Sequence, residues 1–317
     1  MWELAGPWES AGVSPEPFEF APATMPAGLP SRASAILDLW TAAGQWVAIQ
    51  AAGSGSFTTA TGLGLGRSRR LLGLSQDGTF VLMSDTGDNG EVRVGGYHLP
   101  TATYRWALVH PSFIGVDAAA SPDGHAVAFL RRDPTDDLEE VEPDTISVCH
   151  VDLNTAVVRS LRSTPGLRTA DTSIGLSRDG RRIVATYDEP APDRRSNPYT
   201  IVIDLETGAV ERFPATVLAP KGDESWISDT VIACELRDEP SSERRIRALD
   251  LETGTARPLL PATLRPIGRI GERLLIYPNS ATADGLQLDT VTPDGEDPQR
   301  FLTISEPCFI VDVHFAH

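Results

Sequence analysis

Short apolar runs alternate with tight polar turns along this chain, and no stretch keeps the 3.6-residue period of a long amphipathic helix. Runs such as Phe80-Val81-Leu82-Met83, Ala126-Val127-Ala128-Phe129-Leu130 and Ile183-Val184-Ala185-Thr186 are brief and rich in residues that suit strands. Each follows a copy of one turn: Ser75-Gln76-Asp77-Gly78, Ser121-Pro122-Asp123-Gly124 and Ser177-Arg178-Asp179-Gly180. A second turn comes later in the unit, at Asp204-Leu205-Glu206-Thr207-Gly208 and Asp250-Leu251-Glu252-Thr253-Gly254, with Asp152-Leu153-Asn154-Thr155-Ala156 a weaker copy. Aspartate accepts local backbone hydrogen bonds and glycine takes positive φ without strain, so both sequences read as tight turns between strands. The steps from Ser75 to Ser121 and from Asp204 to Asp250 are each 46 residues. The step from Ser121 to Ser177 is longer because an acidic insertion, residues 133–144, interrupts that unit.

One strand on either side of each turn gives four strands per unit, and four-stranded units repeating at roughly 40–45 residues are the blades of a β-propeller. Innermost strands are expected near residues 70–74, 113–120, 172–176, 225–227 and 267–270. The C-terminal run Phe309-Ile310-Val311-Asp312-Val313-His314 resembles the innermost strand Phe113-Ile114-Gly115-Val116-Asp117 but has no strands after it. Three strands without an innermost partner lie at the other end of the chain, at 34–40, 45–51 and 57–63. The expected fold is therefore all-β: a six-bladed propeller over residues 33–317, closed by the C-terminal strand joining the N-terminal blade. Such closure removes the unpaired edges that an open array exposes. A Pro/Ala-rich arm, residues 1–32, precedes the ring, and a seventh blade would require strands of its own within that arm.

These residues resemble the repeat of TolB-like propellers, also called PD40 or WD40-like repeats. The closest copy is Ser121-Pro122-Asp123-Gly124 followed by Ala128-Phe129, with the later Asp-Leu-x-x-Gly turn completing the pattern. The resemblance implies the fold over about residues 33–317. It implies little about activity, because the repeat residues are structural. The family includes periplasmic translocation-system proteins and the propellers of oligopeptidases. No export signal or hydrolase domain is read here, and the Trp-Asp dipeptide of true WD40 repeats is missing.

Charge narrows the function classes. Acidic residues outnumber basic ones 44 to 27, giving a net charge of -17, which repels phosphate backbones and argues against nucleic-acid binding as the main task. Cys149, Cys234 and Cys308 are too scattered for a disulfide framework or a clustered zinc site. The six histidines show no metal-ligand spacing, so no metal or cofactor is expected. The longest uncharged stretch, residues 39–66, is broken by repeated Gly, Ser and Thr and reads as strands and turns, not a membrane span. No basic residue precedes Arg32, so no secretory leader is expected, and a cytoplasmic location is the expectation.

In a propeller the connections alternate between two ends. The two repeat turns fall at one end, while longer, irregular connections (85–91, 133–144, 188–198, 237–243 and 278–285) fall at the other, which marks it as the working surface. The insertion at 133–144 holds seven carboxylates, Asp136, Asp137, Glu139 and Glu140 among them, which would attract a basic protein or peptide or a divalent cation; charge runs also serve as plain solvated loops. The axial channel is the second candidate. Asp117, Asp171, Asp223, Arg269, Asp312 and His314 are expected toward it or its mouth, where Asp312 and His314 would form a carboxylate–imidazole pair and Arg269 would hold an anion. The same polar residues also fill a propeller centre by bonding one another and buried water. Two readings follow: a soluble module binding a protein or peptide through its acidic, irregular end, and a cofactor-independent hydrolase, lyase or cyclase acting on a small molecule at the channel mouth. No Gly-x-Ser-x-Gly, His-Glu-x-x-His or phosphate-loop motif is present. Gly62-Leu63-Gly64-Leu65-Gly66 lacks the strand–loop–helix setting of a dinucleotide loop, and Asp85-Thr86-Gly87-Asp88-Asn89-Gly90-Glu91 lacks the ligand spacing of an EF-hand.

Overall fold

The computed structural model describes residues 18–20, 25–54, 56–65, 69–75, 77–87, 92–110, 118–120, 126–133, 145–153, 155, 157–165, 168–177, 179–190, 196–213, 217–218, 226–236, 245–261, 263–278, 285–305 and 308–316. Within them six four-stranded antiparallel sheets form the blades of a propeller. Blade 2 comprises β5 (Arg69–Leu74), β6 (Phe80–Thr86), β7 (Val92–His98) and β8 (Thr103–His110), and blade 3 comprises β9 (Ala118–Ala120), β10 (Ala126–Asp133), β11 (Thr145–Asp152) and β12 (Val157–Pro165). Blade 4 holds β13 (Arg168–Leu176), β14 (Arg182–Pro190), β15 (Ser196–Asp204) and β16 (Val210–Phe213). Blade 5 holds β17 (Val217–Leu218), β18 (Val231–Leu236), β19 (Arg245–Asp250) and β20 (Ala256–Pro261). Blade 6 holds β21 (Leu264–Ile270), β22 (Arg273–Pro278), β23 (Leu286–Val291) and β24 (Gln299–Ile304). Blade 1 is composite: β25 (Cys308–Phe315) is innermost, followed by β2 (Ala33–Thr41), β3 (Gly44–Ala51) and β4 (Phe57–Thr59).

The closure read from the sequence is present. The β25–β2 ladder runs from Ala35↔Phe315 to Thr41↔Cys308, with a bulge on the β25 side between the partners of Asp38 and Leu39. The arm adds a further tie. Its β1 (Phe18–Phe20) pairs in parallel with β24 as a fifth strand on blade 6, so this segment does not begin a seventh blade. Ala27 bridges Thr59 at the outer edge of blade 1, with Gly28 N donating to Thr59 O at 3.0 Å and Thr59 N to Pro26 O at 2.8 Å. Met25 packs into the seam between blades 6 and 1, and Leu29 into the seam between blades 1 and 2. The arm thus straddles the site of closure from outside.

The apolar core lies between the blades. Its six clusters correspond one to one with the six seams; the seam of blades 4 and 5, for example, brings Val184, Val202 and Phe213 against Trp226, Ile232 and Cys234. Each blade is buried on both faces, which is why its central strands read as continuous apolar runs and not as alternating ones. Cys149, Cys234 and Cys308 form no disulfide and are buried in three different seams.

Three local expectations change. Residues 60–63 leave the strand after Thr59 and form a 3-10 turn, Thr61–Leu63, which ends at Gly64 with φ 58° and ψ 30° and buries Leu63 completely. Of the innermost strand of blade 5, expected at 225–227, Trp226 makes a single bridge to Ile232, and Val217 and Leu218 pair with β18 as well; residues 219–225 lie outside the described residues. Of the segment expected to be irregular at 188–198, residues 188–190 and 196–198 are strand, because β14 and β15 stay paired through Pro190↔Ser196, and 191–195 lie outside the described residues.

Two predictions follow from closure and packing. Removing residues 308–317 strips blade 1 of its innermost strand and should abolish the cooperative thermal transition; retention of a sharp melt by near-UV circular dichroism would show that closure is not required. Gly78 has φ +69°, and a Cβ there would lie 1.9 Å from Ala33 O and 3.3 Å from the Ala316 side chain, across the closed seam. Gly208 has the same φ, and nothing lies within 4 Å of its added Cβ. Gly78→Ala should therefore cost about 3 kcal/mol in urea unfolding, whereas Gly208→Ala should cost about 1 kcal/mol for backbone strain alone.

Candidate functional site

At the short-turn end, the repeat side chains are consumed by the turns themselves. Ser75 Oγ donates to Asp77 Oδ1 at 2.7 Å and accepts from Phe80 N at 2.9 Å, while Asp77 Oδ1 also accepts from Thr79 N at 3.0 Å. The second copy repeats this: Ser177 Oγ to Asp179 Oδ1 at 2.6 Å, Arg181 N to Asp179 Oδ1 at 3.0 Å and Arg182 N to Ser177 Oγ at 2.8 Å. In the other turn Asp204 Oδ1 accepts from Thr207 N at 2.7 Å and Glu206 N at 3.1 Å, and Asp250 Oδ1 accepts from Thr253 N and Glu252 N, both at 2.9 Å. The leucine after each of these aspartates enters an inter-blade cluster, Leu205 between blades 3 and 4 and Leu251 between blades 4 and 5. These are scaffold roles. The backbone N–H of Thr207, aided by its hydroxyl, holds the Asp204 carboxyl below its ordinary 3.8, and the N–H of Thr253 does the same for Asp250. For Asp77 partial burial pushes the carboxyl upward, but the bonds from Ser75 and Thr79 outweigh it and the net direction is down.

The opposite end is delivered by long hairpin ladders. β10 and β11 pair without interruption from Ala126↔Asp152 to Asp133↔Thr145, so the remainder of the acidic insertion joins two paired strands at this end. β6–β7 end there at Thr86↔Val92 and β14–β15 at Pro190↔Ser196. Asp136, Asp137, Glu139, Glu140, Asp117 and Asp223 lie outside the described residues.

Four axial candidates, Asp171, Arg269, Asp312 and His314, lie within the described residues. Arg269 lies next to the last residue of β21, at the short-turn end. Its Nη1 donates to the Ile227 carbonyl of blade 5, its Nη2 to Gly271 O at 3.3 Å, and it pairs with Glu272 at 3.2 Å. His314 lies at the same end of β25, opposite Ile36. Val313 packs toward blade 6, so alternation turns His314 toward blade 2, whereas Arg269 reaches toward blade 5. The two point in opposite senses around the ring, and both sit far from the irregular loops along their strands. Asp312 stands in register with Asp38, and Asp171 lies on β13. Asp38 was not among the sequence candidates: it is 3% exposed, and Gln45 Nε2 donates to its two oxygens at 2.9 and 2.8 Å.

A second group escaped sequence reading altogether. Asp85 is a strand residue, not a loop ligand, and is nearly buried between Arg69, at 3.4 Å, and Arg93, at 2.6 Å. These three residues stand side by side on β5, β6 and β7. Trp106 stacks on Tyr104 with centroids 5.6 Å apart, and both guanidinium groups lie 5.5 Å from the Trp106 ring. Arg69 Nη1 also donates to Leu63 O at 3.0 Å, and Tyr104 Oη to Gly62 O at 3.2 Å, which ties the cluster to the 3-10 turn leaving blade 1. Among the described residues no group of three or more His, Cys, Asp or Glu side chains is arranged to hold a metal ion, and no helix is long and apolar enough to cross a membrane.

No family model matches the sequence, and no curated protein does. Solved structures do. TolB from Acinetobacter baumannii superposes with a TM-score of 0.60 at 17% identity over 89% of this chain and 66% of its own. The fold is that of a TolB-like propeller. This chain spans just under two thirds of that TolB. An oligogalacturonate lyase solved with manganese gives a TM-score of 0.50 at 12% identity, over 86% of this chain and 75% of its own. A TolB-like protein of Agrobacterium tumefaciens gives 0.49 at 11% identity, over 89% and 98%. At these identities the likeness of the TolB-like chain is one of fold.

The turn aspartates generate a pH prediction. A carboxyl whose folded value is depressed contributes stability above its unfolded value, and that contribution fades as pH falls through the folded value. Asp204→Asn keeps the turn's acceptor and removes the charge. The variant should melt below the wild-type protein at neutral pH, with the difference closing as pH drops below 3.8. A difference that persists unchanged in strong acid would show that ionisation of Asp204 is not what stabilises the turn.

Proposed function

We propose that this protein is a binding module that recognises a basic protein or peptide through its irregular-loop end. The observation that carries the proposal is the hairpin of blade 3. Its uninterrupted ladder leads to an insertion with seven carboxylates within residues 133–144, in a chain of net charge -17. Such a field raises the local concentration of cationic partners and steers their approach. Two further features support the reading. The repeat turns at the short-turn end spend their polar side chains internally, and Arg269 donates to the Ile227 carbonyl and pairs with Glu272. The likeness to TolB adds the fold alone. Three buried cysteines that form no disulfide suit a reducing, cytoplasmic setting.

The test is charge reversal of Asp136, Asp137, Glu139 and Glu140 to lysine. Capture of a labelled oligolysine peptide should weaken about tenfold or more and lose most of its salt dependence, with the melting temperature unchanged. Equal capture by the variant would remove the insertion as the site.

A further inference from the structure

We propose that the cluster on the blade 1 side of blade 2 binds a ligand carrying one carboxylate beside an aromatic or aliphatic group, with Arg93 meeting the carboxylate and the Tyr104–Trp106 stack meeting the apolar part. The site is separate from the acidic insertion and does not depend on the reading above. Arg93 is the available cation. Among the described residues it meets Asp85 through Nη2 alone, and its side chain is 42% exposed. Arg69 differs: its side chain is 22% exposed and its donors Nη1 and Nη2 are engaged by Leu63 O, Tyr104 Oη and Asp85. Asp85 therefore fixes the paired guanidinium groups without cancelling both charges. Tyr104, 37% exposed, is one of the few large rings open to solvent, and it stacks on the same Trp106 that Arg93 covers.

Local charge agrees. Residues 62–110 contain five arginines against three aspartates and one glutamate, so this stretch is net positive in a chain that totals -17. At physiological salt the screening length is about 8 Å, so a cationic patch acts on a small ligand despite the distant carboxylates. The same overall charge disfavours a polyacidic partner, whose every added carboxylate is repelled by the remaining surface, and this is why a single carboxylate is the expected feature. Guanidinium groups hold carboxylates through charge-assisted bonds, and a stacked aromatic pair gives the apolar part a rigid surface.

Calorimetric titration of the full chain with 3-phenylpropanoate, its neutral amide and a tetrapeptide ending in phenylalanine as the free acid tests this. The acids should bind with a dissociation constant on the order of 1 mM or tighter, and the amide at least about tenfold more weakly. Arg93→Gln, which leaves Asp85 paired with Arg69, should weaken the acids about tenfold without unfolding the protein. Arg257→Gln, on the outer strand of blade 5, should change nothing, although Arg257 is a comparably exposed arginine paired with Asp294 at 2.8 Å. Tighter binding of the peptide than of the free acid would support the site and identify a peptide C-terminus as its ligand; equal binding would support it for small acids. Equal binding of acid and amide, unchanged binding by Arg93→Gln, or no binding by the wild-type protein would each overturn it.

Discussion

The β25–β2 ladder is the contact on which the rest of this molecule depends. Every blade but the first obtains its innermost strand from its own segment of chain, whereas blade 1 obtains β25 from about 250 residues after the end of β4. Until that pairing forms, the inner edge of β2 and the facing surfaces of blades 1 and 6 lack cover. The ladder settles several things together. Cys308 and Val313 complete the seam with blade 6, Ala316 reaches the seam with blade 2, and Gly78 of the neighbouring turn accepts from Ala33 N at 2.7 Å. Loop-closure entropy grows only slowly with the length of the intervening chain, so one strand can close so long a loop when the two seams it completes bury enough apolar surface. The arm reinforces the same place, with β1 on blade 6 and Ala27 on blade 1.

A ring of this kind divides its residues by role. Seams take the apolar side chains, including the leucines of the repeat turns, and the turns take the serines, aspartates and threonines that repeat. A motif that recurs in successive blades therefore reports a recurring mechanical need. Ser75 and Ser177 are almost fully buried, and each hydroxyl both donates to an aspartate and accepts from a backbone N–H. The hydroxyl donor of each serine is spent within its own turn. The two regions proposed above as binding sites, the acidic insertion of blade 3 and the arginine–aromatic cluster of blade 2, both break the repeat.

The same division explains what could be read in advance. Strand order, blade count and closure were legible because turn signals and apolar runs are local and recur at a near-constant step. The departures arise where local and tertiary demands conflict: residues 60–63 are apolar enough for a strand, yet Gly62 and Gly64 allow a 3-10 turn that carries Leu63 into a seam. Nor did the short apolar pattern around Trp226 reveal that the same inner strand begins at Val217. The Arg69–Asp85–Arg93 cluster was hidden for another reason. Its members come from three strands, and their proximity follows from the register of β5, β6 and β7, which no short motif records. The one sequence trace was compositional, an excess of arginine over residues 62–110 within an acidic chain. Arg269 was named in advance, but its bonds to the Ile227 carbonyl and to Glu272 follow from the packing of blade 6 against blade 5, which no short motif records.

Electrostatics then relates the two exceptional regions. An acidic insertion and a net charge of -17 act over distance and favour cationic partners whatever their shape. The blade 2 cluster acts only at contact, because Asp85 offsets part of its charge and counterions screen the remainder within a few ångströms. A long-range field of one sign and a short-range site of the other are compatible in one protein, since on the two proposals the first would govern encounter and the second what is held after arrival. A partner with basic residues and a free carboxylate, as any basic peptide with an intact C-terminus has, would satisfy both. The cluster's position at a seam adds a structural consequence: Arg69 and Tyr104 bind the turn that leaves blade 1, so a ligand on Arg93 and the Tyr104–Trp106 stack would rest in part on Tyr104, which helps fasten the first blade to the second.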